Sequence, residues 1–347
     1  MVVTKILVLQ TAFIGDVILS IPLVEALHQR WPEGEIHFLT IPNSVNIVEN
    51  IPFIKRLWIY DKRDRDRGLI GLLRLSKQLR QEKFDLVITP HRSFRSALLL
   101  WLARIPVRIG FDKSAGWFLY NRVVHYVPDI HEIDRNLRLL SPLGIHPTGK
   151  ILPKIFCTDS DKSVVDNWLK QQRKLNDRPL IVFAPGSIWA TKRWPATYWG
   201  KLANLLFEKG YAILIIGSKQ DQFLLSEIER NSEVPLLNAM GVFTLRQSSE
   251  LIGRSRLLIT NDSAPTHMGV AMDVPVLTIF GPTVPRFGFY PYNSSSRVAE
   301  VSNLSCRPCS IHGGKKCPLN HFKCMKDLQP EMVFTIALEM LHENTQD

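Results

Sequence analysis

Residues 186–195 read GSIWATKRWP, placing the hydroxyl of Ser187 and two adjacent cations, Lys192 and Arg193, just after a glycine. A strand-like run (180–184, LIVFA) precedes this stretch, and a helix-like run (198–208) follows it. A helix N-terminus offers unpaired backbone N–H groups and the positive end of its dipole, so a strand-to-helix turn with two added cations suits a phosphate or pyrophosphate. The other reading of the same ten residues is a basic surface loop. A second turn of this kind follows the run 257–260: Asn261, Asp262 and Ser263 fall at a strand end, and Ala264 opens a helix. His267, four residues beyond Ser263, shares a helix face with it, either as a satisfied structural histidine or as a ligand to the same guest. With the strand end at 217–221, three loops would converge on one nucleotide-sized pocket.

The first strand runs into a helix through QTAFIGD, ending in Gly15 and Asp16. This is not GxGxxG, so the dinucleotide fingerprint is absent. Gly15 would allow a tight turn. Asp16 either caps the helix or acts as a general base on an acceptor hydroxyl. Two tracts are rich in cations. The run KRDRDR (62–67), with Arg63 and Arg65, is either a solvated loop or a clamp for phosphates and carboxylates. Arg92, Arg95, Arg104, Arg108 and Arg122 alternate with Phe94, Trp101, Trp117 and Phe118. That mixture is either core with scattered charge or a face for an anionic glycolipid or membrane interface. Near the C-terminus, Cys306-x2-Cys309-x7-Cys317-x6-Cys324 lies close to His312 and His321. The four thiols read as a structural zinc site or as metal-free cysteines. Four thiolates on one zinc would leave no open position for chemistry.

These residues must be carried by an α/β scaffold. Strand-like runs at 5–9, 35–39, 57–60, 86–89, 107–109 and 123–126 alternate with helix-like runs at 16–30, 69–81 and 95–103. A second series has strands at 180–184, 212–216, 236–237, 257–260 and 276–280, with helices at 159–174 and 198–208. Such alternation implies βαβ units and parallel sheets. The break HPTGKILP (146–153) divides the 347 residues into domains at 1–150 and 151–329, with a last helix, 330–347, available to pack back on the first domain. No apolar run is long enough to span a membrane, and the N-terminus reads as a strand rather than a signal peptide, so a cytoplasmic location is expected. Five cysteines in such a chain argue against a disulfide framework. The net charge of +11 favours polyanionic partners.

Taken together, GDVILSIPLVEAL, APGSIWATKRWP, TNDSAPTHMGVAM, FGPT and the late CRPC…CPLNHFKCMKDL resemble the ADP-heptose:lipopolysaccharide heptosyltransferases over essentially the whole chain, with the cysteine segment favouring branch II of that family. The resemblance implies the GT-B architecture, two Rossmann-like doubly wound domains facing a central cleft. The first would bind the acceptor, lipid A–Kdo–heptose, and the second ADP-heptose. It implies inverting transfer of a heptose to the lipopolysaccharide inner core, at the cytoplasmic surface of the inner membrane, with no cofactor and no catalytic metal. Asp16 matches the family's general base and Lys192 its diphosphate-binding lysine. Gly15, Ser187, Arg193, Asp262, Ser263, Ala264 and His267 fall at the donor motifs. Arg63, Arg65, Arg92 and Arg122 are candidates for the acceptor. Ala264 stands where the family commonly has glycine, which matters only if the position needs a positive φ. A basic nucleic-acid-binding module is the alternative from another class; no nucleic-acid motif appears, and the cations do not gather on one helix.

Overall fold

The computed structural model of the chain describes residues 3–172 and 178–343. It divides into two compact units, the first ending at Phe156 and the second beginning at Cys157. No helix or strand occurs between residues 145 and 158, so the sequence break at 146–153 lies within an irregular connection. The end of the expected helix 159–174 and the last four residues of 330–347 lie outside the described residues.

The first unit contains strands β1 (Lys5–Leu9), β2 (Glu35–Thr40), β3 (Arg56–Ile59), β4 (Leu86–Ile88), β5 (Val107–Phe111) and β6 (Arg122–Val124). Its helices are α1 (Ile14–Leu19), α2 (Ile21–Arg30), α3 (Val45–Val48), α4 (Gly68–Gln81), α5 (Phe94–Leu102) and α6 (Glu132–Arg138). The second unit contains β7 (Leu180–Ala184), β8 (Ala212–Ile215), β9 (Leu236–Asn238), β10 (Leu257–Asn261), β11 (Val276–Phe280) and β12 (Arg297–Glu300). Its helices are α7 (Asp159–Gln171), α8 (Ala196–Glu208), α9 (Gln222–Arg230), α10 (Leu245–Gly253), α11 (Ala264–Ala271), α12 (Lys323–Lys326) and α13 (Pro330–Glu343).

Each unit holds one six-stranded sheet, with orders β3-β2-β1-β4-β5-β6 and β12-β11-β10-β7-β8-β9, and every strand pair is parallel. Counted from its own first strand, each sheet has the Rossmann order 3-2-1-4-5-6. The central strands are apolar nearly throughout, as in LIVFA of β7 and VLTIF of β11, because helices cover both faces of a parallel sheet. Helix α8 illustrates the covering face: Ala196, Trp199, Gly200, Ala203 and Leu206 recur at helical spacing and are buried.

Three differences from the sequence expectation have simple causes. The run 16–30 is two helices, because Pro22 lacks the N–H that would continue α1 and its ring would strike the carbonyl of residue 18. The break falls at Ser20, whose hydroxyl donates to the Val17 carbonyl at 2.7 Å. Strand β12 escaped the pattern because it forms a sheet edge, where RVAE is only partly buried. Helix α13 packs on α8 and β12 of the second unit, with Arg297 of β12 paired to Glu339 and Glu343. It is thus part of the second unit's core, through Val333, Ala337, Met340 and Leu341.

Helix α4 lies against the turn before it so closely that only glycine fits at position 71. A Cβ there would lie 2.3–2.5 Å from the backbone of Asp66. Asp66 in turn closes the turn by accepting the Asp61 N–H at 3.0 Å. Gly71→Ala is therefore expected to destabilise the first unit by about 1–3 kcal/mol in urea unfolding. Equal stability of the variant and the parent would show that the turn can move.

Candidate active site

In the second unit the strand order turns back between β7 and β10, and the carboxyl ends of these neighbours supply both sequence motifs. Asn261, the buried last residue of β10, ties the two together. Its side-chain amide donates to the Pro185 carbonyl at 2.7 Å, and its Oδ1 accepts the Trp194 N–H at 3.1 Å. The Trp194 ring is buried and donates from Nε1 to the Leu328 carbonyl at 2.9 Å. Residues 186–193 are thereby held at both ends. At Gly186 a Cβ would lie 2.7–2.9 Å from the Asp221 carboxylate, so the third strand-end loop approaches closely here and a larger residue would have to displace that side chain.

Between these anchors, residues Ala190–Lys192 form a 3-10 turn that delivers Lys192 to Asp262. Lys192 Nζ lies 2.6 Å from Asp262 Oδ2, and the Thr283 hydroxyl donates to the same oxygen at 2.6 Å. Both charged side chains are largely buried. An ammonium has three donors, so the contact with Asp262 orients Lys192 while leaving it capacity for further anionic oxygens. His267 sits behind the pair, its pKa pushed down to about 3 by burial and then by the Lys192 charge, so the ring is neutral. Ser187 Oγ accepts the Trp189 N–H at 3.3 Å, and the Ser187 carbonyl accepts from Arg193 Nε at 2.8 Å. Arg193 also lies over the Phe223 ring at 5.1 Å, so it braces the loop. Ser263 is the N-cap residue of α11, and Ala264 begins the helix without a positive φ. The departure from glycine at 264 therefore carries no backbone strain, and the Ala264 N–H stays suited to an anion, whereas Pro265 has no N–H and the Thr266 N–H donates to the Ser263 carbonyl at 3.0 Å.

The cysteine segment backs this loop. The Thr191 N–H donates to the Gly314 carbonyl at 3.0 Å, the Gly314 N–H returns to Thr191 Oγ1 at 2.8 Å, and Trp189 stacks on His312. Cys309, Cys317 and Cys324 line a cavity of about 100 Å³ beneath it. Burial pushes the Cys324 thiol up to about 11. Burial acts the same way on Cys317, but backbone N–H groups of residues 319–322 outweigh it and hold that thiol below its usual value. Among the described residues, no group of three or more His, Cys, Asp or Glu side chains is disposed to hold a metal ion.

In the first unit the order turns back between β1 and β4. Asp16 lies in the first turn of α1, where its Oδ2 accepts the Phe13 N–H at 3.2 Å, so the capping geometry is present. Gly15 is helical and has no positive φ, so the expected tight turn is not what it provides. Arg92, just beyond β4, is brought to the same end of the sheet. Its guanidinium lies 4.4 Å over the Tyr126 ring, and Arg135 lies over that ring at 4.7 Å. Arg63 is exposed in the turn after β3. Arg65 is engaged elsewhere, donating to the Ile59 carbonyl at 2.6 Å and pairing with Asp66 at 3.0 Å. Arg122 is also apart, on edge strand β6 three strands from β1, donating to the Pro142 carbonyl at 2.8 Å.

Two features of this end go beyond the sequence reading, which had Lys62 only as part of the 62–67 charge run. Lys62 turns inward, donating to Thr11 Oγ1 at 2.8 Å and to the Thr11 carbonyl at 3.2 Å, and burial, then Arg95, lowers its pKa to about 8. The same Thr11 hydroxyl meets His91 Nδ1 at 2.9 Å, and burial, then the charges of Lys62 and Arg92, lowers that ring to about 4. The second feature is Glu132 at the start of α6, paired with the fully buried Arg135. Burial raises Glu132 to about 7 against the opposing pull of Arg135, with the Asp16 charge adding to the rise. Neither residue belongs to a recognisable motif; only the fold shows that they face the β1 end.

A model of the family described as glycosyltransferase family 9 (heptosyltransferase) matches residues 72–321. The lipooligosaccharide heptosyltransferase 2 of Haemophilus ducreyi is 29% identical over 297 residues, covering 82% of this chain and 85% of its own. Two solved structures share the fold at 24% identity. A family 9 glycosyl transferase of Veillonella parvula superposes with a TM-score of 0.87 over 98% of both chains. The ADP-heptose lipopolysaccharide heptosyltransferase II of E. coli does so with 0.80 over 99% of this chain and 100% of that one.

Glu132 makes a prediction about pH. A buried acid with a raised folded value keeps its proton where the unfolded chain would release it. Its contribution to stability is complete below 4.5, its ordinary value, and is lost as pH rises through about 7. Glu132→Gln removes that titration, so its unfolding free energy should gain on the parent's between about pH 5 and pH 8. A constant gap across the range would refute the raised value.

Proposed function

The chain belongs to glycosyltransferase family 9, and we propose that it moves a heptose from ADP-heptose to the lipopolysaccharide inner core, adding a second heptose to the first on lipid A–Kdo–heptose. The observation that carries this reading is the placement of complementary chemistry at the two strand-order reversals. A cation fixed by a carboxylate and a hydroxyl stands at β7/β10, and a carboxylate cluster with cations stands at β1/β4.

Asp16 would take the acceptor proton as the hydroxyl attacks the anomeric carbon and ADP leaves from the other face, inverting that centre. A carboxylate is a weak base toward a sugar hydroxyl, so proton removal comes late, concerted with ADP departure. Lys192 would meet the charge that develops on the departing diphosphate, together with the Ala264 N–H that opens α11. These donors supply the positive charge a divalent ion would otherwise bring, which supports metal-independent transfer. Asp262 and Thr283 would hold Lys192 in place. Ser187, Ser263 and His267 shape the donor pocket, and Arg193 braces it. On the acceptor side, Arg92 and Lys62 point to the anionic groups of the inner core, with Arg63 at the rim.

The enzyme would act at the cytoplasmic surface of the inner membrane as a peripheral protein. Among the described residues no helix is long and apolar enough to cross a membrane.

Asp16→Ala should lower turnover by about 10²–10⁴-fold while leaving ADP-induced thermal stabilisation intact. Lys192→Ala should lower both turnover and ADP affinity, the former by about 10²–10³-fold. Retained turnover in Asp16→Ala would sink the base assignment. Turnover against a panel of truncated inner-core acceptors identifies the acceptor; activity only without the first heptose would replace it with an earlier step.

A further inference from the structure

An apolar, cation-flanked face of the first unit is left over by the chemistry above. Helix α4 exposes Leu69, Ile70 and Leu73, and Ile70 is 78% accessible. Its N-terminus is fastened to that of α5, since Arg95 donates to the Gly68 carbonyl at 2.8 Å and the Asp66 carbonyl at 2.7 Å. On α5, Phe94 and Trp101 stand seven residues apart on one side of the helix, both about half exposed. The turn Trp117–Leu119 packs on α5, with Phe118 6.4 Å from the Phe94 ring and Trp117 6.3 Å from Phe118. Trp117 and Phe118 are also open to solvent. Two helices and a turn thus expose adjoining aliphatic and aromatic side chains on one part of the surface, which a lone surface residue would not do.

The charge on the two helices has one sign. Neither α4 nor α5 contains an Asp or Glu; their charged residues are Arg74, Lys77, Arg80 and Arg95. Exposed Arg67, Arg104 and Lys113 flank them. We propose that α4, α5 and the Trp117–Leu119 turn form a face that lies on an anionic phospholipid bilayer, with the apolar side chains entering the headgroup region. This rests on the membrane-surface reading above and names the part of the chain that makes the contact. Tryptophan and phenylalanine beside arginine and lysine are the residue types that partition into that interface. Cations near an anionic leaflet add attraction that fades within a Debye length. A second copy of this chain is a poor occupant, because two such faces would set arginines and lysines against each other. Nucleic acid matches the charge but offers nothing to the exposed Ile70 and Leu69.

The test is sedimentation of the full chain with vesicles of phosphatidylglycerol and phosphatidylethanolamine, and with vesicles of phosphatidylcholine alone. The parent should bind the first and not the second. Ile70→Glu combined with Phe118→Glu should weaken binding at least about tenfold, since apolar area is lost and negative charge is added. Both sites are exposed, so the melting temperature and turnover on a soluble truncated acceptor should not change. Binding by the parent that the double variant retains would overturn this face and leave the membrane-surface reading standing. Failure of the parent to bind anionic vesicles would overturn both, while turnover on the soluble acceptor would still support the transferase. A parent dimer that the double variant dissociates would assign the face to a second copy and overturn the proposal.

Discussion

The structure depends on one constraint, met twice: in a parallel sheet of order 3-2-1-4-5-6, the connections from the two central strands leave toward opposite faces. Their carboxyl ends therefore stay uncovered, with backbone groups open to a ligand. The chain closes both reversals with the same contact. In the first unit the Thr89 hydroxyl donates to the Leu9 carbonyl at the end of β1, at 3.1 Å. In the second, Thr260 donates to the Ala184 carbonyl at the end of β7, at 3.3 Å. Each threonine is fully buried and donates its hydroxyl to a strand-end carbonyl. The loops carrying chemistry start one or two residues beyond these contacts.

From that common frame the two units diverge in charge. At β7/β10 the dominant feature is a lysine whose position is fixed by Asp262 and Thr283, with a neutral histidine behind it. Fixing a cation this way costs part of its attraction for an anion, since Asp262 repels the same guest. It gains orientation, which matters where charge develops only in the transition state. At β1/β4 cations and acids crowd together: Lys62 and His91 are pushed toward neutrality, Glu132 is half protonated near neutral pH, and Arg92 and Arg135 enclose Tyr126.

The net charge of +11 then has a structural address. Part of it lies on α4 and α5, which hold four cations and no acid beside exposed apolar residues, and part in residues 301–326, which hold five cations and no acid. Elsewhere arginines serve as structural braces, as Arg65, Arg108 and Arg193 do through backbone carbonyls. Counting cations along the chain could not separate the two uses.

The sequence by itself determined the alternation of strands and helices, the parallel sheets, the tandem Rossmann-like units and the strand-to-helix loops where Asp16, Lys192 and Asp262 stand. Those features are written in local patterns: apolar runs of strand length, helical periodicity, and glycine or proline at the turns. Tertiary structure alone decided which neighbours these groups have. The Lys192–Asp262 pair joins residues 70 positions apart, and Thr11 meets Lys62 and His91 only because β1, β3 and β4 end at one side of a sheet. The same holds for Arg65 and Arg122, each of which gives a donor to a nearby carbonyl. Burial decided the protonation of Glu132 and His267, because desolvation depends on what the whole fold packs around a group and leaves no mark in its neighbouring residues.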